Sequence, residues 1–448
     1  MAKFIYDFTM GSDLRRRLAT GTLWSVVGAG LGQSLTFLSA ILCGRTLGPL
    51  RYGEFGILLS TINVFLMVAS MGLGIAVTKH AAQWRLTNPT RAGRLIGASL
   101  VASCASGLAI AGLQAAAAPW LCETVLKAPN LVKDLQLSSL TILFTTMNAA
   151  QLGALQGLEA FRALAFGGAA RGLALVSLIA VAVPYGGVEG AIWAYAGASF
   201  LNLVVHQLLL RNIAGKHDIS LRYRLSSAEF RELVRFGAPV LIAGVSFTPA
   251  VWWSNMILVT HSGFREAGLF QAAMQWQSMI LFLTNSFTAL SLPVLSSVLP
   301  EKNIKKFRHH LRVLCILSGA LAALVAIPVC LFAPILLKLY GRGFEGAGWA
   351  LALIALSSVL TAVITPVGSA IWALDATTSG MLLALLNGIV LVFGAYLFSA
   401  GGSTGLAAAY LLLSVVKVFV TVPFTVRLLR SREKHWTPPT RVIDTASA

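Results

Sequence analysis

Hydrophobic residues in this chain come in long runs interrupted only by scattered polar positions. Runs of about twenty apolar residues recur from end to end, each long enough to cross roughly 30 Å of hydrocarbon as a helix. The pattern predicts spans near 19–43, 55–78, 95–118, 136–157, 165–184 and 190–210. A second group follows near 237–260, 267–297, 313–333, 347–372, 379–399 and 404–426. The ten-residue alternating segments of a membrane barrel are absent. The expected fold class is therefore all-α, a polytopic membrane protein of about 12 transmembrane helices.

The polar interruptions organise these runs. The longest, Arg211 to Arg235, reads "RNIAGKHDISLRYRLSSAEFRELVR" and divides the helices into two sets of six. The expected organisation is a six-helix lobe over 1–212, a second over 213–430, and a cytoplasmic tail over 431–448. Short internal similarity points to a duplication. Gly53-x-Phe55 opens the second span and Gly268-x-Phe270 the eighth, while Gly21 and Gly237 open the first and seventh. A parallel repeat of this kind places a site at the interface of the halves.

Composition strengthens the membrane reading. Of 448 residues, 57% are hydrophobic and 11% charged, against roughly 25% charged in a soluble domain; mean hydropathy is +0.79. The net charge of +18 would suggest nucleic acid in a soluble protein. Here the cations flank the apolar runs, so no nucleic-acid partner is expected. Of the 34 Lys and Arg, 26 fall on the side holding both termini and 7 on the other. By the positive-inside rule that side is cytoplasmic, which fits a bacterial inner membrane. No cleavable signal is evident. The first run, Ala19 to Gly44, reads as the first span, held by Arg15, Arg16 and Arg17. The five cysteines are scattered without a Cys-x-x-Cys pair, which argues against a zinc site or a disulfide framework.

Absent motifs narrow the chemistry. No phosphate-binding Gly-x-x-x-x-Gly-Lys-Ser/Thr occurs. "GAGLGQS" at Gly28 to Ser34 lies inside a span, and Gly28-x-x-x-Gly32 reads as a helix-packing face. No His, Cys or carboxylate spacing suggests a metal; no cofactor and no enzymatic activity are expected. All 16 acidic residues fall in loops, tails or span ends. An exporter coupled to protons or sodium through an intramembrane carboxylate lacks its central group here. The intramembrane charge is positive: Lys417 lies midway through the twelfth span, with Arg171 in the fifth and Lys79 at the end of the second.

Polar stripes recur at helical spacing. Gln271, Gln275, Ser278 and Asn285 share a face of the eighth span; Ser60, Asn63, Ser70, Gly74 and Thr78 share one of the second. Thr248, Trp252 and Asn255 do so in the seventh, and Gln33 lies in the first. Such residues either bond neighbouring helices or line a hydrated cavity shared by spans 1, 2, 7 and 8. Amides and hydroxyls suit sugar hydroxyls, and Trp252 or Trp253 could stack on a pyranose face.

The first two spans, "LATGTLWSVVGAGLGQSLTFLSAILCGRTLGPLRYGEFGILLSTINVFLMVASMGLGIAVTKHAA", carry Gly48-Pro49, Tyr52-Gly53-x-Phe55 and Gly72-Leu73-Gly74 before Lys79. In these features the chain resembles the Wzx-type polysaccharide (O-antigen/exopolysaccharide) flippases of the multidrug/oligosaccharidyl-lipid/polysaccharide (MOP) superfamily. "GALQGLEAFRALA" from Gly153 and "LKLYGRGFEGAG" from Leu337 look like later landmarks of that family. The resemblance implies a V-shaped two-lobed bundle with a cationic central cavity. It also implies transfer of an undecaprenyl-pyrophosphate-linked oligosaccharide between leaflets for O-antigen, lipopolysaccharide or exopolysaccharide synthesis. Membrane lipids and other polysaccharide-assembly proteins are the further partners expected. Spans 1, 2, 7 and 8 have no arginine near their centres, which sets the chain apart from peptidoglycan-precursor flippases. A drug/cation antiporter and a membrane polysaccharide polymerase or ligase are the alternative readings. The second would present a sizeable outer loop with catalytic side chains, whereas the longest outer loop here, Pro119 to Leu135, has no His or Arg.

The charge bias makes a topological prediction. In a cysteine-free background, an impermeant thiol reagent on intact spheroplasts should label Ser403→Cys and spare Ser447→Cys. Labelling at position 447 would reverse the orientation.

Overall fold

The structure is a computed structural model and describes residues 13–435, except 225, 227, 228, 230, 234, 236, 238–246, 289–290, 299–303 and 375–376. All regular structure among the described residues is helical. The helices are α1 (Asp13–Ser70), α2 (Leu73–Trp84), α3 (Pro89–Trp120), α4 (Val132–Gly157), α5 (Phe161–Lys216) and α6 (Thr248–Thr288). They continue as α7 (Ser291–Val298), α8 (Ile304–Leu331), α9 (Ala333–Lys338), α10 (Gly348–Ala373), α11 (Thr377–Leu397) and α12 (Gly402–His435).

Length alone shows that some of these cross a bilayer twice. α5 has 56 residues, about 84 Å at 1.5 Å per residue against roughly 30 Å of hydrocarbon. It turns back at Gly187, where the backbone leaves helical geometry (φ 55, ψ −129). α1 does the same at Gly48 (φ 70, ψ 171) and α6 at Gly263 (φ 82, ψ 172). Positive φ is strained for any residue with a Cβ, so glycine makes these reversals possible. Divided at the three glycines, with α2 and α7 continuing the second and eighth spans and α9 a short turn at an end, the described helices make twelve crossings. The second span differs from the expected 55–78. It starts at Pro49, breaks at Met71 and Gly72, both with positive φ, and resumes as α2. The eighth, expected over 267–297, is described to Thr288 in α6 and from Ser291 to Val298 in α7, with 289–290 outside the described residues. The start of the seventh span lies outside the described residues.

The two halves repeat one backbone plan at one spacing. Gly48 and Gly263, 215 residues apart, have nearly the same φ and ψ. So do Gly187 (φ 55, ψ −129) and Gly402 (φ 57, ψ −136), also 215 apart. The Gly-x-Phe pairs at Gly53 and Gly268 keep that spacing.

These last two glycines meet. A Cβ on Gly53 would lie 1.8 Å from the Phe264 carbonyl oxygen, and one on Gly268 would lie 1.9 Å from the Pro49 carbonyl oxygen. Pro49 and Phe264 are themselves 215 apart, so the contact is reciprocal about a pseudo-twofold axis. Backbone rests on backbone, as at small-residue crossings within membranes, where dispersion replaces the hydrophobic effect as the force between helices. One turn further, Gly56 receives the Gln271 side chain.

Apolar packing follows this geometry. The largest buried cluster joins both halves near the crossing, through Tyr52, Phe55, Ile57, Phe270, Trp276, Tyr340 and Phe344. Two other clusters each stay within one half. One gathers Leu73, Trp84, Leu95, Ile96 and Leu210; the other gathers Leu295, Phe307, Leu311, Ile364 and Leu429. The apolar clusters thus join the halves toward the Gly48 end and stay within each half toward the linker end, where close contacts such as Gly237 on the Met71 carbonyl still cross between them. The linker itself docks on the first half. Ile219 and Leu233 join that half's core, and the Arg222 N–H donates to the Gly93 carbonyl. Packing therefore carries the first half beyond the division expected after residue 212.

The crossing makes its own prediction. Ser60→Cys with Asn255→Cys should crosslink readily under mild oxidation in a cysteine-free background. Adding Gly268→Ala should reduce that crosslinking severalfold, because the new Cβ meets backbone that cannot rotate away. Undiminished crosslinking would show that the crossing tolerates a Cβ.

Candidate functional site

Helices on either side of the crossing determine where a substrate could sit. Two seams join the halves. Along one, a Cβ on Gly30 of α1 would lie 3.6 Å from the Phe282 ring of α6, and Phe37 meets Trp276 edge-on at 4.7 Å. Along the other, the Trp252 indole N–H donates to Thr61 Oγ1 at 3.0 Å and the Asn255 amide donates to Ser60 Oγ at 3.0 Å. The second seam also brings Gly237 against the Met71 carbonyl. These seams are pseudo-equivalent, since the 215-residue shift carries Phe37 to Trp252 and Thr61 to Trp276. Between them the second and eighth spans touch at Gly53, Gly56, Gly268 and Gln271. Two turns deeper, Asn63 and its counterpart Ser278 are both exposed. Exposure of both at one station points to a polar cleft between these spans on the linker side of the crossing.

The sequence-expected residues divide accordingly. Asn63 and Asn285 are exposed on these spans, and Gln33 and Gln275 are partly buried. Lys79 is exposed on α2 at the linker end. Trp252 and Asn255 spend their donors across a seam, so in this state they fasten the halves together rather than line the cleft. Trp253 faces α11, beside Phe393 and Tyr396. The stripe expected along the second span does not continue past its break. Below Gly72 the chain is rotated, so Gly74 packs on the Ala149 carbonyl and the Thr78 hydroxyl donates to the Gly74 and Gly153 carbonyls. Gly74 and Thr78 therefore join the second span to α4. Gly28 and Gly32 pack against Ala165 and Gly168 of α5, a helix-packing face.

Lys417 lies 15 residues into α12, about 22 Å along it. It lines a cavity of about 380 Å³ within the second half, with Thr361, Thr365, Ser369, Asn387 and Thr421. Its ammonium is 5.2 Å from the centre of the Phe247 ring, within reach of a cation–π contact. No carboxylate pairs with it among the described residues. Asp375 lies outside those residues.

The equivalent place in the first half is filled. Asn202 corresponds to Lys417 at the 215-residue spacing, and its amide donates to Asn148 Oδ1 at 3.1 Å. His206 is 2% exposed and its Nδ1 is 2.8 Å from the Asn148 amide. The imidazole occupies space that only the glycine at Gly167 leaves open. Arg171 is partly buried and close enough to His206 and Tyr195 to act on both electrostatically. Sequence reasoning missed this amide–imidazole group. The spacing of Asn202, His206 and Gln207, with Asn148 and Gln151 opposite, carried the signal.

The Gly48 end of the first half holds a cluster of carboxylates among basic residues. Glu54, Asp134 and Glu189 gather there, and Lys133 pairs with Glu189 at 3.0 Å. Burial, then Glu189 and Glu54, push the Asp134 carboxyl up from 3.8 to about 6. No His, Cys and carboxylate group among the described residues has a metal-binding arrangement.

This two-repeat helical bundle shares its fold with transporters of known structure. An inward-facing conformation of a multidrug resistance MATE family transporter of the MOP superfamily matches 92% of this chain and 100% of that chain, at TM-score 0.76 and 16% identity. A MOP superfamily transporter from Pyrococcus furiosus, whose binding pocket is described as of reverse polarity, matches 92% and 96% at TM-score 0.68 and 16% identity. An outward-facing conformation of a multidrug resistance MATE family transporter matches 93% and 96% at TM-score 0.66 and 16% identity. No curated relative matches by sequence. Residues 18–299 match the polysaccharide biosynthesis protein family, and the chain belongs to that family.

Asp134 supports a pH prediction. Its pKa is raised on folding, so the folded state favours the neutral acid, and ionisation on going from about pH 4 to above 6 weakens the fold. Asp134→Asn should raise the melting temperature at pH 8 and leave it unchanged near pH 4. An equal effect at both pH values would exclude this titration.

Proposed function

We propose that this chain is a flippase that moves a lipid-linked oligosaccharide from the cytoplasmic to the periplasmic leaflet. The observation that carries the reading is the exposure of Asn63, Ser278 and Asn285 on the second and eighth spans, beyond the point where the Gly53–Gly268 crossing holds those spans together at the Gly48 end. With the linker end cytoplasmic, as the charge bias requires, this state faces inward. The stronger likeness to an inward-facing transporter than to an outward-facing one supports that assignment. Membership of a polysaccharide-biosynthesis family favours a glycolipid over a drug cation.

In this reading the sugars occupy the cleft, where Asn63, Gln275, Ser278 and Asn285 offer amide and hydroxyl partners, while the polyprenyl tail stays in the bilayer. The lobes, near 1–212 and 213–430, rock against each other, and the Gly53–Gly268 crossing parts when they open outward. Outward opening breaks the Trp252–Thr61 and Asn255–Ser60 bonds, which makes that seam the gate. Lys417 attracts the pyrophosphate. A pyrophosphate diester carries about two negative charges, and each gains roughly 2.3 kcal/mol per 100 mV moving outward. The potential thus supplies about 4–5 kcal/mol, and the cleft lowers the cost of passing phosphate and wet sugars through hydrocarbon.

Lys417 provides the test. Lys417→Arg should retain surface polysaccharide, while Lys417→Ala and Lys417→Glu should abolish it at unchanged membrane abundance. Wild-type polysaccharide from the Ala variant would remove Lys417 from the transport path.

A further inference from the structure

A second amphipathic cavity lies in the first half, away from the cleft. It has a volume of about 620 Å³, within the range of small-molecule sites. One wall is apolar, with Leu100, Cys104 and Leu108 from α3 facing Val204 and Leu208 from α5. Leu108 and Leu208 are 56% and 61% exposed, so this wall faces the bilayer. The linker end of the cavity is polar and carries Gln207, Arg211 and Tyr223.

Hydrogen bonding gives the cavity a direction. Asn202 donates to Asn148, and Asn148 donates to Gln151 Oε1 at 3.4 Å. Gln151, 2% exposed, donates to Gln207 Oε1 at 2.8 Å, and Gln207 donates to Tyr223 Oη at 2.8 Å. Each bond points the same way, so the chain polarises toward its end. Tyr223 accepts the last bond, and its own O–H proton remains to be donated at the mouth. Beside it is Arg211, exposed and without a carboxylate partner among the described residues.

Close packing fixes the mouth. A Cβ on Gly97 would lie 2.0 Å from the Arg222 carbonyl oxygen, and one on Gly93 would lie 2.2 Å from that of Ser220. The linker therefore crosses α3 in backbone contact and brings Tyr223 to the cavity. A phenol donor and a guanidinium converge at the headgroup end of an apolar groove. This is the chemistry of an anionic amphiphile: a phosphate oxygen would satisfy both donors and a hydrocarbon chain would fill the wall.

We propose that this groove is a binding site for an anionic glycerophospholipid of the linker-side leaflet. Its phosphate lies on Arg211 and Tyr223, and one acyl chain lies between α3 and the second half of α5. The lipid spans α3, α4, α5 and the linker, and so fastens the linker to the first half while the second half moves.

The test is native mass spectrometry of the full chain, titrated in detergent with phosphatidylglycerol, phosphatidylcholine or undecaprenyl phosphate. Wild type should retain phosphatidylglycerol about tenfold more tightly than phosphatidylcholine. Arg211→Gln should remove that preference and Tyr223→Phe should weaken it, because each loses a donor to the phosphate. Leu108→Trp, which fills the wall and leaves the head end intact, should lower retention of phosphatidylglycerol. Unchanged preference in Arg211→Gln, or unchanged retention in Leu108→Trp, would overturn the site. Tighter binding of undecaprenyl phosphate than of phosphatidylglycerol would overturn the resident-lipid assignment and give the groove to the substrate. None of these outcomes depends on transport, so they are independent of the flippase reading.

Discussion

The structure depends on a contact with no side chain in it. Gly53 rests on the Phe264 carbonyl and Gly268 on the Pro49 carbonyl, so two helix starts approach as closely as backbones can. In a bilayer, where lipid tails are as apolar as leucine, close fit is what distinguishes a helix partner from the surrounding lipid. The crossing also brings Tyr52, Phe270, Tyr340 and Phe344 into one cluster. Toward the linker end the other clusters each stay within one half, so the helices there have less to hold them together. The cleft is a consequence of packing tightly at one place.

The charges fall where that geometry makes use of them. A carboxylate in the cleft would oppose the proposed anionic cargo, and the described acidic residues of the first half lie toward its ends instead, Glu54, Asp134 and Glu189 at one and Glu159, paired with Arg85, at the other. The intramembrane lysine has a cavity of its own with hydroxyl and amide walls, so its ammonium can stay solvated at depth. The outer leaflet is the downhill direction for an anion, and no nucleotide site is needed to reach it.

Much of this was legible in the sequence. Apolar runs identified twelve crossings because a bilayer demands one length of every helix, and Gly53-x-Phe55 with Gly268-x-Phe270 marked the repeat. The helix breaks were less legible. Met71 and Gly72 take positive φ inside an apolar run, and the resulting rotation sends Thr78 toward α4. Trp252 and Asn255 sit on a polar face as expected, yet their partners lie across a seam in another repeat. Periodicity locates a face without saying what opposes it. His206 was overlooked for the same reason: its meaning depends on Asn148 and Gly167, each some forty to sixty residues away.

Asn202 and Lys417 occupy one station in the two repeats, the first bonded into a filled interior and the second lining an open one. Two identical subunits would carry that lysine twice, and a cargo between them would have two equal ways to bind. A fused chain carries it once. In the flippase reading proposed above, the cargo would then meet a handed site, its charged end drawn toward the second half, and a bound glycolipid would take one orientation about the axis.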